Sequence, residues 1–270
     1  MENLYVIKIG GNIIDDEKKL SSFLNDFALV NENKILIHGG GKLATKLADE
    51  LGIQQQLIDG RRITDAETLK IVTMVYAGYI NKNIVAQLQA NGCNAIGLCG
   101  ADANIIQAHK RTPSGAGGID YGFVGDIDML NAERLTQFIN SGLTPIIAPI
   151  TNSAEGQLLN TNADTIAQEI AKAMSNYYDV QLIYSFEKSG VLLDVNDESS
   201  AIPKLTKKYY EELKSPHPEG GASKIFAGMI PKIDNAFAAL NSGVKKVIIG
   251  KAEELDKLIN HSAGTIITNE

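Results

Sequence analysis

Several signals that would assign a chain to a class at once are missing from this sequence. Its 270 residues contain no tryptophan and only two cysteines, Cys93 and Cys99. Their spacing fits no metal-ligand pattern, and one pair makes no disulfide framework, so we expect free thiols in a reducing compartment, the cytoplasm. No apolar run approaches the length that spans a bilayer, and the first residues lead directly into a strand, which predicts no membrane segment and no signal peptide.

Positive charge is also scarce. The chain carries 25 Lys and Arg against 32 Asp and Glu, a formal net charge of -7. A sequence-general nucleic-acid binder needs clustered positive charge to displace counterions, so this balance argues against one. A few well-placed cations can still bind an anionic small molecule.

Many familiar catalytic motifs are absent. There is no Walker A ending in Gly-Lys-Ser/Thr, no Gly-x-Gly-x-x-Gly after the first strand, no Gly-x-Ser-x-Gly and no His-Glu-x-x-His. The His-Arg-Asp and Asp-Phe-Gly elements of protein kinases are missing as well. The sequence therefore favours neither a P-loop enzyme nor a dinucleotide-dependent dehydrogenase.

Short runs rich in Val and Ile alternate with stretches of helical periodicity. This alternation predicts an α/β protein, a three-layer α/β/α sandwich around a mostly parallel central sheet. We expect an N-terminal lobe at residues 1–177 and a C-terminal lobe at residues 178–270, sharing one continuous sheet. The predicted strands are at residues 4–9, 34–37, 95–98, 144–150, 181–184, 245–249 and 265–267.

The helical stretches show apolar faces and breaks. Residues 65–91 predict either two helices or one bent helix. Residues 104–127 are rich in glycine and predict a hairpin with loops over the sheet, and residues 185–223 predict loops around one short helix near residues 207–214. Two apolar faces are formed by residues spaced three or four apart: Leu43, Leu47 and Leu51, and Ile233, Ala236, Phe237 and Leu240.

A lysine and two glycines end the first predicted strand. Lys8 is costly to bury in an apolar strand unless an anion meets it. Gly10 and Gly11 allow backbone N–H groups to approach a ligand closely. An edge-strand lysine followed by a tight turn is an equally good interpretation of this motif alone.

Three glycines, Gly39, Gly40 and Gly41, follow His38 between the second predicted strand and a helix. A helix N-terminus after a glycine loop holds phosphate or carboxylate through oriented N–H groups, and we favour this over a merely flexible turn. His38 itself is expected to be structural.

Three further segments carry charge at helix starts. Arg62 can bind a carboxylate bidentately, although a solvated Arg pair before a helix capped by Thr64 is the plainer interpretation. Asp164 stands in the first turn of a helix after Asn160, where it either stabilises the helix dipole or positions lysines. Lys232 opens another helix, where the dipole prefers anions, so we infer that an anion visits it.

Taken together and in this order, the motifs at residues 8–11, 38–41, 60–64, 160–164 and 228–232 resemble the amino acid kinase family and, within it, the acylglutamate kinases. The resemblance covers nearly the whole chain, and Gly122-Phe123-Val124-Gly125 matches a further family element. It implies ATP-dependent phosphorylation of the side-chain carboxylate of N-acetyl-L-glutamate, or of its N-succinyl counterpart, in arginine biosynthesis.

The resemblance also implies roles for individual residues. Lys8 and Lys232 would stabilise charge on the transferring phosphoryl group, and Asp164 would orient both lysines. Gly11, Gly40 and Gly41 would donate N–H groups to the reacting oxygens. Arg62 would bind the α-carboxylate, with Asn160 helping to hold the substrate.

The nucleotide, by the same resemblance, would lie on the C-terminal lobe. Magnesium would arrive with ATP, held mainly by its phosphates, so no protein metal site is expected. The implied nucleotide contacts are Gly10, Ser185, Ser189, Gly190, Lys224, Ile225 and Phe226.

Some positions depart from the family pattern. Lys42 follows the glycines where proline is frequent, and Glu187 and Lys188 stand near a common Asp-Val pair. Only seven residues precede Lys8, whereas arginine-inhibited hexameric relatives carry an extra N-terminal helix. The resemblance therefore implies a homodimer that arginine does not inhibit.

Two other functions compete with this one. A carboxylate or carbamate kinase of the same fold would share most motifs, although Arg62 with Asn160 favours an N-acylated α-amino acid. A catalytically silent sensor of an amino acid or nucleotide would not need both Lys8 and Lys232.

Overall fold

The short Val- and Ile-rich runs form the strands of the protein. The computed structural model describes residues 1–58, 61–113, 118–194, 196–214 and 229–269. A strand lies at every predicted position, but the run predicted as one strand at residues 144–150 divides into two strands, Thr144–Ile147 and Ile150–Asn152, which belong to different sheets. In chain order they are β1 (Asn3–Ile9), β2 (Asn33–His38), β3 (Leu57–Ile58), β4 (Arg61–Arg62), β5 (Ala95–Leu98), β6 (Ile106–Lys110), β7 (Gly125–Leu130), β8 (Thr144–Ile147), β9 (Ile150–Asn152), β10 (Leu158–Asn160), β11 (Asp179–Phe186), β12 (Lys204–Thr206), β13 (Lys246–Lys251) and β14 (Thr265–Thr268).

Helices occupy the stretches between the strands. They are α1 (Gly11–Ile14), α2 (Glu17–Leu29), α3 (Gly41–Glu50), α4 (Ala66–Thr73), α5 (Asn81–Ala90), α6 (Ala132–Asn140), α7 (Ala163–Met174), α8 (Lys207–Lys214), α9 (Ile230–Asn241) and α10 (Leu255–Ile259). A π-helical segment, Met74–Ile80, joins α4 to α5, so the long predicted stretch is one continuous helical rod with an altered central turn. None of the helices in the described ranges is both long and apolar enough to cross a membrane.

One sheet crosses the whole molecule, in the order β12-β14-β13-β11-β1-β2-β8-β5. All neighbouring strands in it are parallel except β13 and β14, which are antiparallel. Four of its strands belong to residues 1–177 and four to residues 178–270, so the sheet is continuous across the predicted lobe boundary. The α/β fold with a mostly parallel sheet is confirmed.

The predicted hairpin forms part of a second, smaller sheet, ordered β10-β9-β6-β7. Strands β6 and β7 pair antiparallel, with an irregularity in register between Gln107 and Ala108. Isolated bridges join Val124 to Asn160 and Thr64 to Gly122. This second sheet therefore brings the loop before β7 against the loops that precede α4 and α7.

The central sheet is covered on both faces by helices. Leu4 and Val6 of β1 pack in one apolar cluster with α6, α7 and α9, whereas Tyr5, Ile7 and Ile9 pack in the other with α2 to α5. Side chains alternate between faces along a strand, so Lys8 follows Leu4 and Val6 onto the face covered by α7 and α9. The cationic side chain in β1 is therefore directed toward the two helices that carry Asp164 and Lys232.

The apolar face predicted for α9 is buried, but the leucine row of α3 is not its buried face. Ala44 and Ala48 are fully buried, while Leu51, just after the helix, is 58% exposed. Leu43 and Leu47 are only partly buried beside the core. The small alanines allow α3 to pack closely on the sheet and leave its leucines toward the surface.

Candidate active site

The glycine-containing loops after β1 and β2 lie at one edge of the central sheet. Strands β1, β2, β11 and β13 are parallel, so their carboxyl ends meet there. Gly10 and Gly11 follow β1, the glycine loop follows β2, and Ser185 lies near the end of β11. The carboxyl edge of an open parallel sheet is where ligands bind in such folds.

A carboxylate held between two lysines lies at this edge. Lys8 Nζ forms an ion pair with Asp164 Oδ1 at 2.7 Å, and Lys232 Nζ donates to Asp164 Oδ2, also at 2.7 Å. The three side chains are 14%, 20% and 29% exposed for Lys8, Asp164 and Lys232. The cluster keeps a net charge of +1, so it is suited to meet an anion.

The position of Asp164 explains its charge state. Burial raises the pKa of Asp164, but the ammonium groups of Lys8 and Lys232 more than offset this, and its pKa lies well below the ordinary value. Asn162 caps α7 and accepts from the backbone N–H of Asp164 at 2.8 Å. Asp164 therefore stays ionised in the first turn of a capped helix, where the dipole also favours a negative charge.

The two glycines after β1 differ in their hydrogen bonds. Gly10 N–H donates to the carbonyl of Ser185 at 3.0 Å, which fixes the β1 end against β11. A Cβ on Gly10 would lie 3.4 Å from Phe186 Cβ. Gly11 begins α1, and its N–H has no acceptor among the residues of the described ranges. Gly11 is therefore free to donate to a ligand, whereas the Gly10 N–H is already engaged.

The glycine loop after β2 is shaped by its neighbours. Gly40 has φ +151°, and a Cβ there would lie 2.3 Å from Ile80 Cδ1 and 3.0 Å from Tyr76 Cδ1. Only glycine fits this close approach to the π-helical segment. Gly41 starts α3, and the N–H groups of Gly40 and Gly41 find no acceptor in the described parts of the chain.

Arg62 is buried next to the glycine loop. Its Nη2 donates to the carbonyl of Gly41 and to Thr45 Oγ1, both at 2.8 Å, and its Nη1 donates to Gln55 Oε1. Only 8% of the residue is exposed, and no carboxylate of the described residues lies within 4 Å of its guanidinium. Arg62 is therefore a rigidly held charge with no counterion among the described residues.

Asn160 is oriented by Thr64. The Thr64 hydroxyl donates to the carbonyl of Arg62 at 3.1 Å, so toward Asn160 it can only accept. Asn160 Nδ2 accordingly donates to Thr64 Oγ1 at 3.0 Å. The amide oxygen of Asn160 is left to accept from a ligand. Thr64 is not the helix cap considered from the sequence, because Asp65 caps α4 through the N–H of Thr68.

Four predicted substrate residues line a common cavity. The cavity has a volume of about 200 Å³ and includes Gly40, Gly41, Arg62 and Asn160. Its lining also reaches Ala163, which directly precedes Asp164 in α7. The cavity and the lysine–aspartate cluster are thus adjacent, as they must be if a ligand in the one reacts at the other.

The cavity also contains residues that the sequence did not single out. Arg111 forms a bidentate ion pair with Asp126. The hydrogen bonds from Arg111 lower the pKa of Asp126 by more than burial raises it. Tyr76 and Arg61 complete this side of the wall. Arg111 lies just after β6 and Asp126 lies in β7, and no sequence signal fixes the register that brings them together.

The predicted nucleotide residues are less closely grouped. Ser185 is buried, and its hydroxyl has no partner in the described residues. Ser189 donates through both its N–H and its hydroxyl to Glu198. Gly190 packs so closely on Thr265 that a Cβ would lie 2.5 Å from its Oγ1. Lys224, Ile225 and Phe226, like Gly228 of the fifth motif, lie outside the described residues.

Two of the residues that depart from the family pattern, Lys42 and Glu187, are linked through Asn12. Lys42 Nζ donates to Asn12 Oδ1, and Asn12 Nδ2 donates to Glu187. Lys42 also lies 3.9 Å from Asp15. This chain of contacts links the start of α3 to the segment after β11, across the two predicted lobes.

Comparison with known proteins agrees with this geometry. Residues 3–251 match the model of the amino acid kinase family. An acetylglutamate kinase of Cytophaga hutchinsonii is 55% identical over 262 residues, covering 97% of this chain and 96% of that protein. One from Bacteroides thetaiotaomicron is 51% identical over 254 residues, covering 94% and 95%.

A solved structure shows the same fold. The crystal structure of smu.665 from Streptococcus mutans UA159 superimposes with a TM-score of 0.78 at 27% identity, covering 99% of each chain. The family match spans more than nine-tenths of this chain, including the whole lysine–aspartate cluster. The protein belongs to the amino acid kinase family.

Proposed function

We propose that the protein is an acetylglutamate kinase, which transfers the γ-phosphoryl group of ATP to the side-chain carboxylate of N-acetyl-L-glutamate in arginine biosynthesis. The observation that carries this proposal is a pair of lysines, each 2.7 Å from a different oxygen of Asp164, beside a cavity lined by Arg62, which has no carboxylate partner in the described ranges. Relatives about half identical over nearly the full chain carry the same name.

The reaction needs little from the protein except positioning and charge. A carboxylate oxygen of the substrate attacks the γ-phosphorus, the bond from that phosphorus to the oxygen bridging to the β-phosphate breaks, and ADP leaves with the bonding pair. A carboxylate is already a nucleophile at neutral pH and needs no general base. Charge neutralisation and alignment are the main sources of catalysis in such transfers.

Lys8 and Lys232 supply the neutralising charge. Their ammonium groups come from opposite sides of Asp164, one from a sheet strand and one from the first turn of a helix. Because both are tied to one carboxylate, they are aimed before the nucleotide arrives. Preorganised charges of this kind stabilise the transition state without further rearrangement.

The backbone supplies further donors. The N–H groups of Gly11, Gly40 and Gly41 have no protein acceptor in the described ranges, and two of them lie in the cavity wall. We assign them to the phosphoryl oxygens and the attacking carboxylate. Helix N-termini such as that of α3 favour these anions.

Arg62 and Asn160 account for the choice of an N-acylated amino acid. In the part of the chain that the structure describes, the guanidinium of Arg62 has no carboxylate partner, and we assign it to the α-carboxylate. Asn160 presents its amide oxygen, which accepts the N–H that an acylated α-amine offers. A free amino acid would place an ammonium close to Arg62, so acylation also removes an unfavourable charge.

The nucleotide is assigned to the C-terminal lobe, residues 178–270, and the amino-acid substrate to residues 1–177. Gly10, Ser185, Ser189 and Gly190 lie at that side of the sheet edge. Mg²⁺ would be held by the phosphates of ATP, because both oxygens of Asp164 are already engaged by lysines. The ion would neutralise phosphate charge there.

The exposed apolar face beside α3 supports a homodimer. Met74 and Tyr79 of the π-helical segment are 57% and 64% exposed and border a groove with Leu43 and Leu47. Large exposed apolar side chains grouped in this way mark interaction surfaces. We propose a second copy of the chain as the partner, and light scattering on the purified protein measures it.

The two thiols fit a reducing compartment, and we place the protein in the cytoplasm. Cys93 is buried, and burial raises the pKa of Cys99 to about 11. Neither forms a disulfide in the structure. Both are therefore unreactive thiols rather than redox or structural bridges.

Trapping the acyl phosphate with hydroxylamine tests the proposed function. The purified protein is given MgATP and, in parallel, N-acetyl-L-glutamate, N-succinyl-L-glutamate, free L-glutamate or N-acetyl-aminoadipate. We expect hydroxamate from N-acetyl-L-glutamate. Hydroxamate only from the succinyl compound would change the assigned acyl group, and hydroxamate only from N-acetyl-aminoadipate would change the assigned side-chain length. Hydroxamate only from free L-glutamate would make the roles given to Arg62 and Asn160 wrong. ATP binding without any hydroxamate would favour the sensor.

A further inference from the structure

His38 is fully buried at the end of β2 and makes two hydrogen bonds through its ring. Its Nδ1 lies 2.8 Å from the carbonyl oxygen of Gly39, and its Nε2 lies 3.1 Å from Asn81 Nδ2. Asn81 is equally buried, at 1% exposure, and opens α5 immediately after the π-helical segment. Buried polar groups paired in this way hold a single arrangement.

Asn81 decides which ring nitrogen of His38 carries the proton. The Nδ2 group of Asn81 also donates to the carbonyl of Ile146 at 2.9 Å, and its Oδ1 accepts from Lys82 at 3.1 Å. With its amide so oriented, Asn81 presents an N–H to Nε2, which must accept. The proton is therefore on Nδ1, where it donates to Gly39.

The surroundings are built for this arrangement. A Cβ on Gly97 would lie 2.0 Å from Asn81 Oδ1, so the neighbouring strand β5 leaves space for this amide. Burial lowers the pKa of His38 to about 4, so the ring is neutral at physiological pH. A neutral ring with one donor and one acceptor matches its two partners.

The Gly39 carbonyl controls the neighbouring N–H. In a planar trans peptide the C=O of one residue and the N–H of the next point in opposite directions. Holding the Gly39 oxygen toward the imidazole turns the Gly40 N–H away from it. Gly40 lines the substrate cavity, and its N–H has no acceptor in the described residues.

We propose that His38 is a positioning residue, which through the Gly39 carbonyl fixes the direction of the Gly40 N–H in the substrate cavity, with Asn81 selecting the tautomer that this requires. The inference deepens the proposed kinase function and rests on it for its kinetic consequence. Gly40 touches the reacting groups, and His38 acts only through it.

Two substitutions of His38 separate this role from packing. In His38→Asn the side-chain amide places an N–H where Nδ1 was, so the hydrogen bond to Gly39 is retained and the one to Asn81 is lost. In His38→Gln the polar atoms reach Asn81, and nothing donates to Gly39. Both variants lose the volume of the ring, so if His38 only filled space, the two variants should lose activity equally.

We expect kcat for hydroxamate formation to fall about 10-fold or more in His38→Gln and to stay within about 3-fold of the unmodified protein in His38→Asn. KM for ATP should be unchanged in both. Equal loss of kcat in the two variants, or a loss that follows their melting temperatures, would overturn the proposal. Failure of the unmodified protein to turn over any acylglutamate would instead reject the proposed function.

The tautomer is measured independently of activity. The chain has four histidines, so ¹⁵N-histidine labelling gives a simple spectrum, and the signals missing in His38→Asn assign His38. The proposal requires a neutral ring protonated on Nδ1 at pH 7. A ring protonated on Nε2, or a charged ring, would contradict it whatever the kinetics show.

Discussion

Replacing Asp164 by asparagine removes the charge that ties Lys8 to Lys232 while keeping the shape of the side chain. Both lysine Nζ atoms lie 2.7 Å from the carboxylate in the structure. The amide would present an N–H to one of the ammonium groups, so at least one lysine must move. The substitution therefore disturbs the positions of the catalytic charges and leaves two largely buried cations without the carboxylate that neutralises one of them.

The size of the effect follows from the burial of the cluster. Each pair attracts by about 6 kcal/mol before desolvation at an effective dielectric constant of about 20. Removing one partner of a buried pair costs about 3 kcal/mol net, near the lower end because the side chains keep some contact with water. A loss of that size lowers the melting temperature by roughly 6–12 °C in a chain of this length.

Catalysis should suffer beyond stability. Losing preorganised charge at a transition state reduces kcat by about 10²- to 10³-fold. The hydroxamate assay gives kcat and both KM values, and we expect KM for N-acetyl-L-glutamate to change little because the cavity residues are untouched. Thermal melting is measured on the same preparation, and the kinetics are run well below its melting temperature.

Asp179 provides the matched control. Its carboxylate also lies between two amines, with Lys245 at 3.5 Å and the N-terminal amine at 3.8 Å, but at the opposite end of β11. Asp179→Asn should keep kcat within about 2-fold, as expected for an exposed ion pair away from the site. If Asp164→Asn retained a third or more of kcat, or if both variants lost activity equally, the role given to Asp164 would be refuted.

Three further predictions test other parts of the site. Gly40→Ala should reduce activity about 100-fold and lower the melting temperature, because its Cβ would lie 2.3 Å from Ile80, whereas Gly39→Ala, with nothing within 4 Å, should melt like the unmodified protein. Arg62→Lys should raise KM for N-acetyl-L-glutamate about 10-fold or more and leave KM for ATP unchanged, because an ammonium has only three N–H donors and cannot both make the three hydrogen bonds that fix the guanidinium and bind a carboxylate bidentately; unchanged KM for both would remove Arg62 from substrate binding. The pKa of His38 falls from 6.5 to about 4 on folding, so between these pH values the unfolded chain binds a proton that the folded chain does not. Lowering the pH from 7 to 4 should therefore destabilise the unmodified protein by about 3 kcal/mol relative to His38→Asn, which has no histidine to protonate there. Denaturant titrations of both proteins at both pH values measure this change in the difference between their free energies of unfolding.

The sequence predicted most of the fold and the general position of the site. Short runs rich in Val and Ile favour strands regardless of which strand pairs with them. In a parallel sheet the loops after β1, β2 and β11 then lie at one edge. The alternation along β1 also directs Lys8 to a defined face. These are local patterns, and local patterns can be seen in one chain.

Contacts that depend on register or on helix rotation were not predictable. Arg111 pairs with Asp126 in a register of β6 and β7 that shifts between Gln107 and Ala108, and no turn motif in the sequence predicts that shift. The face that α3 buries is set by close packing of Ala44 and Ala48, not by its larger leucines.

The support behind the glycine loop was equally hidden. Asn81 reaches His38 across 43 positions, after a π-helical segment that has no sequence signature. His38 was expected to be structural, but what it holds becomes visible only with the tautomer and the peptide plane of Gly39 and Gly40. The sequence can indicate which loops bind a ligand, whereas the hydrogen bonds that aim them depend on the folded chain.

The fate of oxygen atoms in a single turnover tests the central claim most directly. N-acetyl-L-glutamate labelled with ¹⁸O in its side-chain carboxylate is incubated with MgATP and the protein, and hydroxylamine then cleaves the acyl phosphate at the carbonyl carbon. If the carboxylate attacks the γ-phosphorus, every phosphate released with the hydroxamate carries one ¹⁸O. Phosphate without the label, released while ATP is consumed, would mean that water is the acceptor and that the protein is not an acylglutamate kinase.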